Sequence, residues 1–140
     1  MPIRIVVDTS VFISALIGTT GASREVIRRC LTGQYVPLMG NALFCEYESV
    51  LNRSEIRKKV KLTEAEIQDL FAALMSVSEW IFIYYLWRPN LVDEADNHLV
   101  ELAIAGNAST IVTNNIKDFL RTNLVFPDLT IINPQDLIRS

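Results

Sequence analysis

The chain predicts a three-layer α/β/α domain built on a mostly parallel sheet, and three observations point there. Short β-rich runs alternate with segments whose apolar residues recur at helical spacing along the whole chain. No repeat and no Gly/Ser- or Pro-rich linker interrupts the alternation, so residues 1–140 are expected to form one domain. Half of the 140 residues are hydrophobic and mean hydropathy is +0.26. A domain of this length buries about 68% of the surface its unfolded chain would expose, so it needs neither disulfides nor structural zinc.

The elements follow in order. Residues 3–7 are a β-rich run ending at Asp8, and residues 9–17 carry helical spacing at once, closed by Gly18-Thr19-Thr20-Gly21. A helix over 22–31 stops at Gly33, a short strand covers 35–38, and Asn41 is the expected N-cap of a helix through Leu51. Thr63-Glu64-Ala65-Glu66 is a capping box before Ile67, Leu70, Phe71 and Leu74, which mark a helix to about Ser76. Residues 80–87, aromatic and β-branched, read as a buried strand, too short for the roughly 20 residues of a membrane span. Asp93-Glu94-Ala95-Asp96 opens a helix with Leu99, Leu102 and Ala103 on its apolar side and Gly106 past its end. A short buried strand over 109–113, a short helix over 115–120, a strand over 130–132 and a last helix capped by Asn133-Pro134 complete the chain.

Composition excludes several functions. Thirteen Lys and Arg against sixteen Asp and Glu give a net charge of −3, the wrong sign for holding nucleic acid by bulk charge. Any RNA contact must rest on a local patch. Cys30 and Cys45 fit no disulfide or zinc spacing and read as small core residues of a reducing compartment. The N-terminus lacks a signal peptide's basic and apolar regions, so a cytoplasmic location and no membrane contact are expected. Neither GxGxxG nor GxxxxGK[ST] occurs, which removes the common nucleotide-binding classes. A haloacid-type phosphatase would need a second Asp at position 10, where Ser stands, and the acid pair and lysine of a receiver domain are missing.

In a parallel sheet, sites lie outside the carboxyl ends of the strands. Asp8-Thr9-Ser10 follows the first strand, and Thr113-Asn114-Asn115, with Asp118 a turn later, follows the 109–113 strand. Glu46 lies on a partly apolar helix and can point to the same edge, while Glu48 faces water. Asp93 and Asp96 share one face at a helix N-terminus, where the dipole favours anions. Converging carboxylates without soft ligands suit Mg²⁺ or Mn²⁺, and such a metal serves phosphodiester hydrolysis. Each acid also has a plainer reading: Asp8 as an N-cap, Glu46 as a solvated acid, Asp93 and Asp96 as helix-end charges. His98, the one histidine, reads as an exposed helix residue, because no orienting partner is identifiable. Trp80, Tyr84, Tyr85 and Trp87 read as core or interface bulk.

Taken together, Val7-Asp8-Thr9-Ser10-Val11-Phe12-Ile13-Ser14-Ala15-Leu16, Glu46 within Leu43-Phe44-Cys45-Glu46-Tyr47-Glu48-Ser49-Val50-Leu51, and Asp96 followed by Leu102-Ala103 and Ile111-Val112-Thr113-Asn114-Asn115 resemble a PIN domain. The resemblance covers nearly the whole chain and is nearest to bacterial and archaeal toxins of toxin–antitoxin systems, similar to the VapC toxins. It implies a Mg²⁺- or Mn²⁺-dependent ribonuclease acting on single-stranded or looped RNA, silenced by a small antitoxin and often a homodimer. Asp8, Glu46 and Asp96 match the family's first three acids, Ser10 matches a supporting hydroxyl, and Thr113 matches the threonine before the last site position. Many relatives carry an acid where this chain has Asn115, and Asp93 and Asp118 are expected nearer the rim. An amide oxygen still binds a metal or its water but brings no charge. The alternative is therefore a catalytically weakened or inactive PIN-fold module that binds RNA or protein. Arg53, Arg57, Lys58, Lys59 and Lys61 form the one dense basic run and are the expected RNA grip; Arg24, Arg28 and Arg29 are a second cluster.

Overall fold

The structure, a computed structural model, describes residues 2–18, 21–82, 97–119 and 126–140. Five strands, β1 (Ile3–Val7), β2 (Tyr35–Met39), β3 (Glu79–Trp80), β4 (Thr110–Val112) and β5 (Thr130–Ile132), form one parallel sheet in the order β3-β2-β1-β4-β5. Ile5 lies opposite Pro37 on one side and Thr110 on the other, and Val7 lies opposite Val112. Ile5, Val6 and Val7 are all buried in succession, which happens only when both faces of a sheet are covered.

The cover comes from α1 (Thr9–Ile17), α2 (Ala22–Leu31), α3 (Asn41–Leu51), α4 (Ser54–Lys59), α5 (Glu64–Val77), α6 (Asn97–Ala105) and α7 (Pro134–Arg139), with a 3₁₀ turn over Ile116–Phe119. α6 packs on β1, β2 and β4, and α2 packs on α1, α5, α7 and β2. Phe12, Tyr47 and Phe71 meet at ring-centroid distances of 5.4 to 6.3 Å, joining α1, α3 and α5 beside the sheet's carboxyl edge. The chain steps from β1 to β2 on one side and returns to β4 on the other, so the order reverses beside β1. Such a reversal opens a crevice at the carboxyl ends of the strands.

The local signals hold where side chains cap helices. Thr63 accepts the Glu66 N–H while Glu66 accepts the Thr63 N–H, and Asn133 accepts the Asp136 N–H ahead of Pro134. Elsewhere the sequence reading needs correction. The cap of α3 is Gly40, and Asn41 is already helical and makes no capping bond. α6 does end at Ala105 with Gly106 just past it, and the residue that takes a left-handed backbone there is Asn107, at φ 57°. Glycine stands at 106 for space: a Cβ there would lie 2.4 Å from Leu38 Cδ1. Cys30 is buried, its thiol pushed up to about 12 by burial, but Cys45 is exposed, because its position on α3 turns away from the packed side. Of the 80–87 run, Trp80 ends the edge strand β3 and is exposed rather than buried, resting partly on Phe44; residues 83–87 fall outside the described residues. No helix among the described residues is long and apolar enough to cross a membrane.

Candidate active site at the carboxyl edge of the sheet

Asp8 is the residue where β1 becomes α1. Its N–H still donates to Val112 O at 3.0 Å, extending the β1–β4 ladder by one bond, and its side chain is buried at 6% exposure. A buried carboxylate needs donors. Thr113, fully buried after β4, donates its hydroxyl to Asp8 Oδ2 at 2.7 Å, and Ser10 Oγ donates to the same oxygen at 3.0 Å. Those two hydroxyls are fixed in turn, since the Asn115 N–H donates to Thr113 Oγ1 and the Asn114 N–H to Ser10 Oγ. No cation partners Asp8 among the described residues.

Glu46 reaches the same edge from α3. Thr9 Oγ1 lies 2.8 Å from Glu46 Oε1 and 3.4 Å from Asp8 Oδ1, so one hydroxyl touches both carboxylates and donates to the nearer. The other oxygen of Glu46 lies 2.7 Å from His98 Nε2 on α6. That bond is the main reason the Glu46 carboxyl is held below its ordinary range; burial opposes it, and Thr9 and the charge of Arg53 add to it. Tyr47, next on α3, is fully buried and donates its hydroxyl to Val7 O at 2.7 Å, tying α3 to the end of β1.

Asp8, Ser10, Glu46, Arg53 and Asn115 all line one cleft of about 550 Å³. Asp8 and Glu46 are thus brought together, with Asn115 beside them. Asp118 is exposed on the 3₁₀ turn and is not among the residues lining the cleft. Asp93 and Asp96 lie outside the described residues. Among the described residues no group of three His, Cys, Asp or Glu side chains is placed to hold a metal. What this edge offers is a pair of carboxylates and a neutral amide, all hard oxygen donors. Mg²⁺ commonly takes one or two protein carboxylates and keeps several waters, so the pair fits such an ion.

The basic run divides. Arg53 lines the cleft, and Lys58, Lys59 and Lys61 are exposed, whereas Arg57 is committed to Leu51 O, Asn52 Oδ1 and Glu64 Oε1. The second cluster is spent within the fold, with Arg24 on Ala15 O and both Arg28 and Arg29 on Glu25.

Two participants escaped the sequence reading. Thr9 stands next to Asp8, and only the first turn of α1 aims its hydroxyl at Glu46. His98 is half-buried against Glu46 instead of exposed, because α6 packs against α3. The signal available was its position two residues after Asp96, at the start of the helix that covers the sheet edge.

Residues 4–117 match the family model described as PIN domain. Among solved structures, the chain is similar to one in the crystal structure of VapBC2 from Rickettsia felis bound to a DNA fragment from their promoter. The TM-score is 0.61 at 20% identity, over 94% of this chain and 98% of that one, a likeness of fold. A comparison with curated proteins finds no match.

Proposed function

The chain belongs to the PIN domain family, and on that premise we propose that it is a Mg²⁺- or Mn²⁺-dependent ribonuclease, the toxin of a toxin–antitoxin pair. The observation that carries this reading is the cleft where Asp8 and Glu46, 38 positions apart in sequence, face one space at the carboxyl edge of the sheet. Asp8 and Glu46 would hold the ion, with Asp96 as the third acid by family resemblance and Asp93 and Asp118 as outer groups. A bound Mg²⁺ or Mn²⁺ supplies a water of lowered pKa and steadies charge on the phosphate.

The remaining work falls to the chain itself. Thr113 and Ser10 keep Asp8 aimed, and the hydrogen bond from His98, with that from Thr9, holds the Glu46 carboxyl below its ordinary range. Arg53 at the cleft and the exposed Lys58, Lys59 and Lys61 contact the phosphates of an RNA strand. Arg57 is left out of that grip because its guanidinium braces α4. The likeness to VapBC2 supports a small antitoxin as partner; the homodimer is what the PIN-domain resemblance implies, and the cytoplasmic setting is the reading of the sequence.

Cleavage of a generic single-stranded RNA tests the reading. EDTA should abolish it, and Mn²⁺ or Mg²⁺ should restore it better than Zn²⁺. Asn115 in the cleft favours one second reading, a PIN-fold module that binds without cutting. RNA retained but not cleaved in Mn²⁺ would decide for that module.

A further inference from the structure

We propose that His98 is a positioning residue which, with Thr9, clamps the Glu46 carboxylate from both oxygens and sets the orientation in which it meets a cation. The proposal rests on the metal reading of the cleft. Glu46 is attached to α3 by a flexible stem and its side chain is 36% exposed, so packing alone does not fix it. Two hydrogen bonds do. Thr9 Oγ1, from the first turn of α1, holds Oε1 at 2.8 Å, and His98 Nε2, from the first turns of α6, holds Oε2 at 2.7 Å. These helices are separate in sequence, and both reach this one carboxylate.

His98 stands behind the carboxylate rather than in the cleft. Glu46 lines the cleft and His98 does not, and His98 Nδ1 is inaccessible and has no hydrogen-bond partner among the described residues. An ionised carboxylate only accepts, so Nε2 donates. A carboxylate offers about four acceptor directions. The clamp uses one on each oxygen and leaves one on each for the cleft. The same Thr9 oxygen lies 3.4 Å from Asp8 Oδ1, so a single hydroxyl relates the placement of both acids. Hydrogen-bond partners of metal-binding groups typically govern affinity by 10–100-fold.

Mn²⁺ binding to the whole chain, followed by the electron paramagnetic resonance signal of free Mn²⁺, tests this without reference to turnover. His98→Ala should weaken Mn²⁺ binding by at least about tenfold. His98→Gln, whose amide N–H can reach Oε2, should recover most of the loss, and Thr9→Val should weaken binding from the other oxygen. In a Glu46→Gln background, His98→Ala should change the affinity no further, because its effect passes through the carboxylate. Thermal melts identify any variant that fails to fold, and Thr9→Val and His98→Gln keep the test open if the alanine variant does. A wild-type chain that binds Mn²⁺ while His98→Ala and Thr9→Val bind it equally well overturns the clamp alone. So does an equal loss with and without Glu46. A wild-type chain that binds no Mn²⁺ overturns the metal reading, and the clamp with it.

Discussion

Thr113→Val exchanges a hydroxyl for a methyl of nearly the same shape at a position with no exposed surface. The change removes the shorter of the two hydroxyl bonds to Asp8 Oδ2, 2.7 Å against 3.0 Å from Ser10, and takes away the acceptor of the Asn115 N–H. A hydrogen bond to a charged group contributes about 1.5–3 kcal/mol, and Asp8 is too buried for water to replace the donor. Asn115 is exposed, so its N–H can turn to solvent and adds little. The expected loss is about 2 kcal/mol, which for a domain of this size lowers Tm by roughly 4–8 °C. Thr113→Ser keeps both bonds and gives up one buried methyl, about 1 kcal/mol. Urea denaturation and calorimetry of the three proteins, metal-free at pH 7, measure the difference. If the valine variant is no less stable than the serine variant, Asp8 does not depend on the Thr113 hydroxyl and the account of how this buried acid is held fails.

Other outcomes follow from the same geometry. Asn115→Asp places a third carboxylate in the cleft with Asp8 and Glu46, so it should destabilise the metal-free fold by like-charge repulsion and be rescued by Mn²⁺; a Mn²⁺-dependent rise in Tm equal to the parent's would put position 115 outside the site. Gly106→Ala drives a methyl against Leu38 and should lower stability by about 1–3 kcal/mol in a urea melt. Arg28 and Arg29 hold the Glu25 carboxyl down from 4.5 to about 2. A depressed pKa contributes stability that is full above the unfolded value and is lost as pH falls through the folded one. The stability gap between the parent and Glu25→Gln should therefore shrink between about pH 4.5 and 2, and added salt should narrow it at every pH.

How far sequence reasoning reached depends on the range of the interaction. Asp8 was visible because a β-rich run passes into a helix with no loop between them, which puts the residue at the junction on the sheet edge wherever the remaining strands lie. The Thr63 and Asn133 caps were visible because each bond spans three residues. Cys45 was not, since which side of α3 packs inward is decided by α1, α5 and α6 together. Arg57 looked like its basic neighbours, and its engagement with Glu64 depends on the turn between α4 and α5. The bond between His98 and Glu46 joins residues 52 positions apart on two different helices, α3 and α6, and no spacing in the chain announces it. The parallel architecture was readable from alternation alone, while the order of strands that places Thr113 beside Asp8 is a property of the assembled sheet.

The central claim is that Asp8 and Glu46 hold a hard divalent ion that cuts RNA at this cleft, and the rate of RNA cleavage by Asp8→Asn tests it most directly. The substitution keeps shape and removes one charge from the pair, so the account predicts that Mn²⁺-dependent cleavage falls by orders of magnitude while the metal-free melting transition stays cooperative. An Asp8→Asn protein that cleaves at the parent's rate in Mn²⁺ would contradict it.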